Sequence, residues 1–113
     1  MHELAITKGI IDIVASEAEE KSFTEVLEIS LRVGEYSGIV PECLQEFFPI
    51  AAKGSPAEGA RLIIEPIPAS FRCLDCGYEG KIERRAACCP DCGSSALRMI
   101  SGREFYVESL KVN

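Results

Sequence analysis

The sequence predicts an α+β fold: two helices packed on a small three-stranded sheet, with a four-cysteine module inserted before the last strand. Three observations carry that expectation. Apolar residues recur at helical spacing over residues 4–20, they alternate with polar ones over 27–33, and a Cys-x-Asp-Cys-Gly pattern occurs twice between residues 73 and 93.

The first helix places Ile6, Ile10, Ile13 and Val14 on one face and Lys8, Asp12, Ser16 and Glu20 on the other. Residues 1–3 are expected to project ahead of it as a short free end. Past Ser22 the period becomes two: Leu27, Ile29, Leu31 and Val33 oppose Glu28, Ser30 and Arg32, the pattern of a half-buried strand. After a turn over Gly34 to Gly38, the stretch PECLQEFFPIAAKG reads as a second helix, with Pro41 first and Gly54 as its C-cap. Pro49 should kink that helix or end it early. ARLIIEPIP is a second strand whose prolines suit an edge. REFYVESLKVN, rich in β-branched and aromatic residues, is a third. Because that last strand resembles the first two, it is expected to rejoin their sheet. The chain then divides into residues 1–69 plus 104–113 and an inserted module, 70–103, whose connectors near Pro66–Ser70 and Ser101–Arg103 are the expected flexing points.

Composition narrows the function. Of 113 residues, 47% are hydrophobic and 27% charged, which describes a folded, soluble chain. The opening segment interrupts its apolar residues with Glu3, Lys8 and Asp12, so neither an export signal nor a membrane span is expected, and the expected location is the cytoplasm. The net charge is −6. Residues 1–71 hold 5 basic against 12 acidic side chains, and residues 72–103 hold 6 against 4. Neither part has the basic surplus that nucleic-acid binding needs, Arg84, Arg85, Arg98 and Arg103 notwithstanding. With no export signal, six cysteines point to metal ligation over disulfides.

The repeated pattern is Cys73-Leu74-Asp75-Cys76-Gly77 and Cys89-Pro90-Asp91-Cys92-Gly93. Two cysteines separated by two residues can bind one metal from a tight turn, and the glycine after the second tolerates the positive φ such a turn needs. Four thiolates from two such knuckles form a closed tetrahedral site that favours structural Zn²⁺, which makes residues 70–103 a zinc-ribbon module. Iron in the same four-sulfur site, as in a small electron carrier, has the same spacing requirement. Cys88 with Cys92 is the competing register; Cys89 is preferred because only it reproduces the repeat. The YEGKIERRAA stretch between the knuckles can form a short hairpin. Cys43 reads as a small buried hydrophobe. A closed thiolate site activates no water, and the chain has neither a nucleophile and base pair nor a Gly-rich phosphate loop, so no enzyme is expected.

The only histidine is His2. With Met1 retained ahead of that bulky residue and its amine free, three nitrogens converge: the Met1 amine, the deprotonated His2 amide and the His2 imidazole. Fused chelate rings of that kind impose the square-planar geometry of Ni(II) or Cu(II). The Glu3 carboxylate, the Glu3 amide or a group elsewhere completes the set. Glu3 also suits the first turn of a helix as an acid.

Taken together, the MHE start, VGEYSGIVPE, EGARLIIE, the two knuckles and the terminal FYVESLKV resemble the HypA/HybF family of hydrogenase maturation nickel-insertion proteins over nearly the whole chain. The resemblance implies a metallochaperone with nickel at Met1, His2 and Glu3 and structural zinc at Cys73, Cys76, Cys89 and Cys92. It further implies delivery to the large subunit precursor of a nickel-iron hydrogenase together with an accessory GTPase, and in some relatives a service to urease. Val40 offers no side-chain oxygen as a further nickel ligand. Competing readings are a zinc-ribbon module acting on protein or nucleic acid, and the iron carrier. Monomer and homodimer both remain open at this point, and neither competing reading explains the MHE start.

Overall fold

The first helix, α1, runs His2–Lys21 in a computed structural model that describes residues 2–83 and 85–113, the side chains of His2 and Glu3 excepted. It therefore starts earlier than expected, and His2 and Glu3 belong to its first turn instead of to a projecting end. Its buried ridge is Thr7, Ile10, Val14 and Ala18. Ile13 is 47% exposed and Ile6 only half-buried, because these two lie on the flank facing the last strand. Ser22 stops the helix in the left-handed region (φ 58°), and the Phe23 N–H closes back on the Ala18 carbonyl at 3.2 Å, a Schellman-type end without glycine.

The chain reverses into β1, Val26–Gly34, which buries Ile29, Leu31 and Val33 as the alternation requires. Leu27 departs from the pattern: it is exposed while Val26 is buried. The pairing shifts register between Val26 and Glu28, and that bulge places Leu27 out of phase.

Helix α2, Pro41–Ala51, starts on its proline and packs Leu44 and Phe48 into the core. It continues through Pro49 and closes on Ala52, two residues before Gly54. Pro49 sits in the last turn on the exposed side, where the carbonyl it leaves unpaired can face water. The Gln45 side-chain amide donates to the Leu62 carbonyl at 3.1 Å and fastens the helix to the next strand.

Strand β2, Arg61–Ile67, pairs parallel with β1 and forms one edge, as its proline suggested. Three short strands follow: β3, Ser70–Cys73, β4, Glu79–Gly80, and β5, Leu97–Ser101, in a second sheet of order β4-β3-β5. Strand β6, Phe105–Val112, then returns antiparallel to β1 and completes a first sheet of order β2-β1-β6. The hairpin that the stretch between the knuckles could have formed is absent among the described residues. Strand β4 pairs with β3 instead, because the first knuckle is itself the turn that joins them.

Both helices run antiparallel to β1. Ile6 approaches Phe105, which pairs with Val33, whereas Lys21 approaches the other end of β6. The starts of α1 and α2 thus lie at the carboxyl end of β1, the end at which the second sheet joins.

Hydrogen bonds tie that joint at both connectors, the segments read from the sequence as flexing points. The N–H groups of Gly34, Glu35 and Tyr36 donate to the carbonyls of Glu104 (2.7 Å), Ile67 (2.9 Å) and Gly102 (2.6 Å), so the end of β1 grips both connectors. Two carboxylates reinforce it: Glu35 accepts from the Ala69 N–H at 2.9 Å, and Glu104 from the Gly102 N–H at 2.7 Å. The amides of Gly102, Glu104 and Arg103 hold the Glu104 carboxyl below its ordinary range. A carboxylate with a depressed folded pKa stabilises fully above its unfolded pKa and loses that contribution as pH falls through the folded value. The difference in melting temperature between the native chain and a Glu104→Gln variant should therefore be largest near neutral pH and shrink as the pH is taken below about 4. A gap that widens in acid would contradict the assignment.

Candidate metal centre

The two knuckles are the same turn built twice. In each, the first cysteine's carbonyl accepts from the following glycine: Gly77 to Cys73 at 3.0 Å, and Gly93 to Cys89 at 2.8 Å. The first cysteine's own N–H reaches the carbonyl five residues on, Tyr78 and Ser94, at 2.8 Å in both. Gly77 and Gly93 have φ of 81° and 77°, where a side chain would be strained. The Ser94 hydroxyl bonds the Asp75 carboxylate, joining one knuckle to the other. Nothing in the spacing of the repeat marks Asp75 for that part.

This pairing brings Cys73, Cys76, Cys89 and Cys92 together, their sulfur atoms all within 4.8 Å of one another. The Cys73–Cys92 and Cys76–Cys89 sulfurs are each 3.5 Å apart. A tetrahedral ion with metal–sulfur bonds of about 2.3 Å sets its sulfurs about 3.8 Å apart, so the group has the size of a four-thiolate site. These separations are far beyond a disulfide bond, and all six cysteines are free thiols. The first cysteine of each knuckle is buried and the second exposed. Cys88 is half-buried and stands outside the group, which takes Cys89. Cys43 is half-buried on α2, less enclosed than its helical position suggested.

The local electrostatics suit a cation. The Cys76 amide, then that of Asp75, with help from the Cys92 and Cys76 thiols, bring the Cys73 thiol down to about 7 against the opposing effect of burial. For Cys76 the Tyr78 amide pulls down, yet desolvation and the sulfurs of Cys89, Cys92 and Cys73 outweigh it and push the thiol up to about 12. Cys92 is also raised: the Ser94 amide pulls it down, but the neighbouring Cys73 thiol and desolvation prevail. One thiolate forms readily, and its charge resists the next. A divalent ion removes that conflict and draws off the remaining protons. With four sulfurs around it, such an ion has no position left for water.

Of the expected nickel ligands, Met1 lies outside the described residues, as does Arg84. His2 and Glu3 are placed as backbone at the start of α1.

The profile of a family described as "Hydrogenase/urease nickel incorporation, metallochaperone, hypA" matches residues 1–112. A hydrogenase maturation factor HypA from Chlorobium luteolum is 37% identical over 113 residues, covering all of this chain and 97% of the relative. HypA 1 from Bradyrhizobium diazoefficiens is 38% identical, with both chains covered completely. Two solved structures share the fold. The solution structure of a HypA protein superposes with a TM-score of 0.75 at 21% identity, covering 100% of this chain and 97% of that one. That of the Ni metallochaperone HypA from Helicobacter pylori gives 0.67 at 19% identity, covering 97% and 96%. The chain belongs to the HypA family of nickel metallochaperones for hydrogenase maturation.

Proposed function

We propose that this chain carries Ni(II) on Met1, His2 and Glu3 and passes it to the large subunit precursor of a nickel-iron hydrogenase, in concert with an accessory GTPase. The observation that carries the reading is the family match over residues 1–112. The opening MHE supports it: the amine, His2 amide and His2 imidazole form a planar nitrogen set for nickel, and a site at a chain end is easily presented and emptied. The start of α1 at His2 is compatible with that chemistry, because the first amides of a helix have no intrahelical acceptor and the His2 N–H is not committed to the ladder.

In the same reading Cys73, Cys76, Cys89 and Cys92 hold structural Zn²⁺. Their four soft sulfurs at tetrahedral spacing suit zinc and leave no open coordination position, so the ion supplies folding energy and no reaction. Residues 70–103 act as a zinc module and residues 1–69 with 104–113 as the nickel-carrying part. The protein works in the cytoplasm without catalysis of its own; no described helix is long and apolar enough to cross a membrane.

The test is made in a hydrogenase-producing host lacking its own copy of this factor. The native chain should restore nickel to the hydrogenase large subunit. Restoration that is equally complete with His2→Ala would contradict delivery from the N-terminus.

A further inference from the structure

β1 ends at Gly34, in register with Ile67, and Gly34 with the turn residues Glu35 and Tyr36 holds both connectors to the cysteine module through the three backbone hydrogen bonds described above. The fit is tight. A Cβ on Gly34 would stand 2.2 Å from the Gly102 carbonyl oxygen, and one on Gly102, at φ 119°, would stand 2.8 Å from the Ala69 Cα. These are backbone contacts that no rotamer change can relieve.

Tyr36 connects this grip to the metal ligands. Its ring meets Phe71 edge to face, centroids 6.3 Å apart, and Phe71 lies two residues before Cys73 on β3. Ile82, Glu83, Ala87 and Leu97 complete the wall of a small cavity, about 140 Å³, around the two rings. Three of these four belong to the stretch between β4 and Cys89, in which no described residue pairs in a strand. That stretch returns to the first knuckle where Cys89 meets Cys76 at the cluster, beside the Ser94–Asp75 bond that joins the two knuckles. In an empty site the closure must come from the protein alone, against the entropy of the loop.

We propose that Gly34–Tyr36 is a metal-dependent clamp in which Tyr36 is the positioning residue. With the four-thiolate site filled, the stretch before Cys89 packs on Tyr36 and Phe71, and the module is held in one orientation at the end of the main sheet where α1 and α2 begin. With the site empty, that packing loosens and the three backbone bonds open. The inference rests on the reading that these cysteines bind zinc.

Amide hydrogen exchange, resolved by residue in zinc-loaded and chelator-stripped reduced protein, tests it, with zinc stoichiometry measured on the same samples. Stripping should speed exchange at Gly34, Glu35, Tyr36 and Ala69 by about tenfold or more while Ile29 and Leu31 stay protected. In Tyr36→Ala one zinc should still bind, but those four amides should exchange fast with or without it; Tyr36→Phe, which keeps the ring, should retain the response. Four amides that stay slow while Gly77 and Gly93 become fast would overturn the clamp and leave the zinc reading intact. Loss of protection through all of β1 would overturn it too, since the metal would then hold the whole fold. A chain that binds no zinc through these cysteines would remove both readings.

Discussion

Replacing any one of Cys73, Cys76, Cys89 or Cys92 with alanine is expected to abolish stoichiometric zinc binding and unfold the module, while the β2-β1-β6 sheet and its two helices remain. The expected effect is large because structural zinc supplies about 10–16 kcal/mol to small zinc-binding peptides, as much as the whole stability of an ordinary domain. The second sheet has little else: its strands are short, and Cys73 and Cys89 are themselves among its few fully buried side chains. The first sheet has its own core in Ile10, Val14, Ile29, Leu31, Leu44 and Phe48, none of which depends on the cluster. Zinc content, with backbone NMR to separate the two sheets, provides the check. Cys89→Ala is the most informative variant, since Cys88 stands beside it. Retention of one zinc at native affinity in that variant would show that the ligand set is wrong.

Substituting His2 with alanine is expected to weaken Ni(II) binding about a hundredfold or more and to leave zinc content unchanged. Even residues that merely orient a metal's ligands are worth about 10- to 100-fold in affinity, so loss of a direct imidazole donor sets a higher floor. No second histidine can take its place. The two metals should also separate by chemistry: mild acid protonates the exposed nitrogen set and releases nickel, whereas the closed thiolate site resists longer. Competition titrations with a nickel-selective chelator read the affinity. Equal nickel affinity in His2→Ala and the native chain would remove the imidazole from the site.

Much of this architecture was legible in the sequence because its patterns are local. Helical spacing in α1, alternation in β1 and the proline at the start of α2 each express one element's contact with one core. Where the reading failed, a neighbour had intervened. Leu27 is exposed because β6 imposes a bulge on β1, whereas α2 ends early, two residues past Pro49, as that proline implied. Strands β3 and β5 escaped notice: Ser70–Cys73 is too short to show a period and reads as the approach to a knuckle. The cysteine group was the easiest feature to find, since its spacing is repeated and each repeat folds as an independent turn. The grip of Gly34 on Gly102 left no local trace, because it joins residues far apart in the chain, and Gly34 reads locally only as the start of the turn to Gly38.

Titration of tag-free, zinc-loaded protein with Ni²⁺, beside a variant carrying one glycine inserted ahead of Met1, tests the central claim most directly. The insertion keeps the His2 side chain and moves only the terminal amine out of register. The account predicts one Ni²⁺ per native chain with the absorption band of square-planar nickel, and loss of that band in the extended chain. The same band in both chains, or in neither, would contradict a nickel site built on the N-terminus.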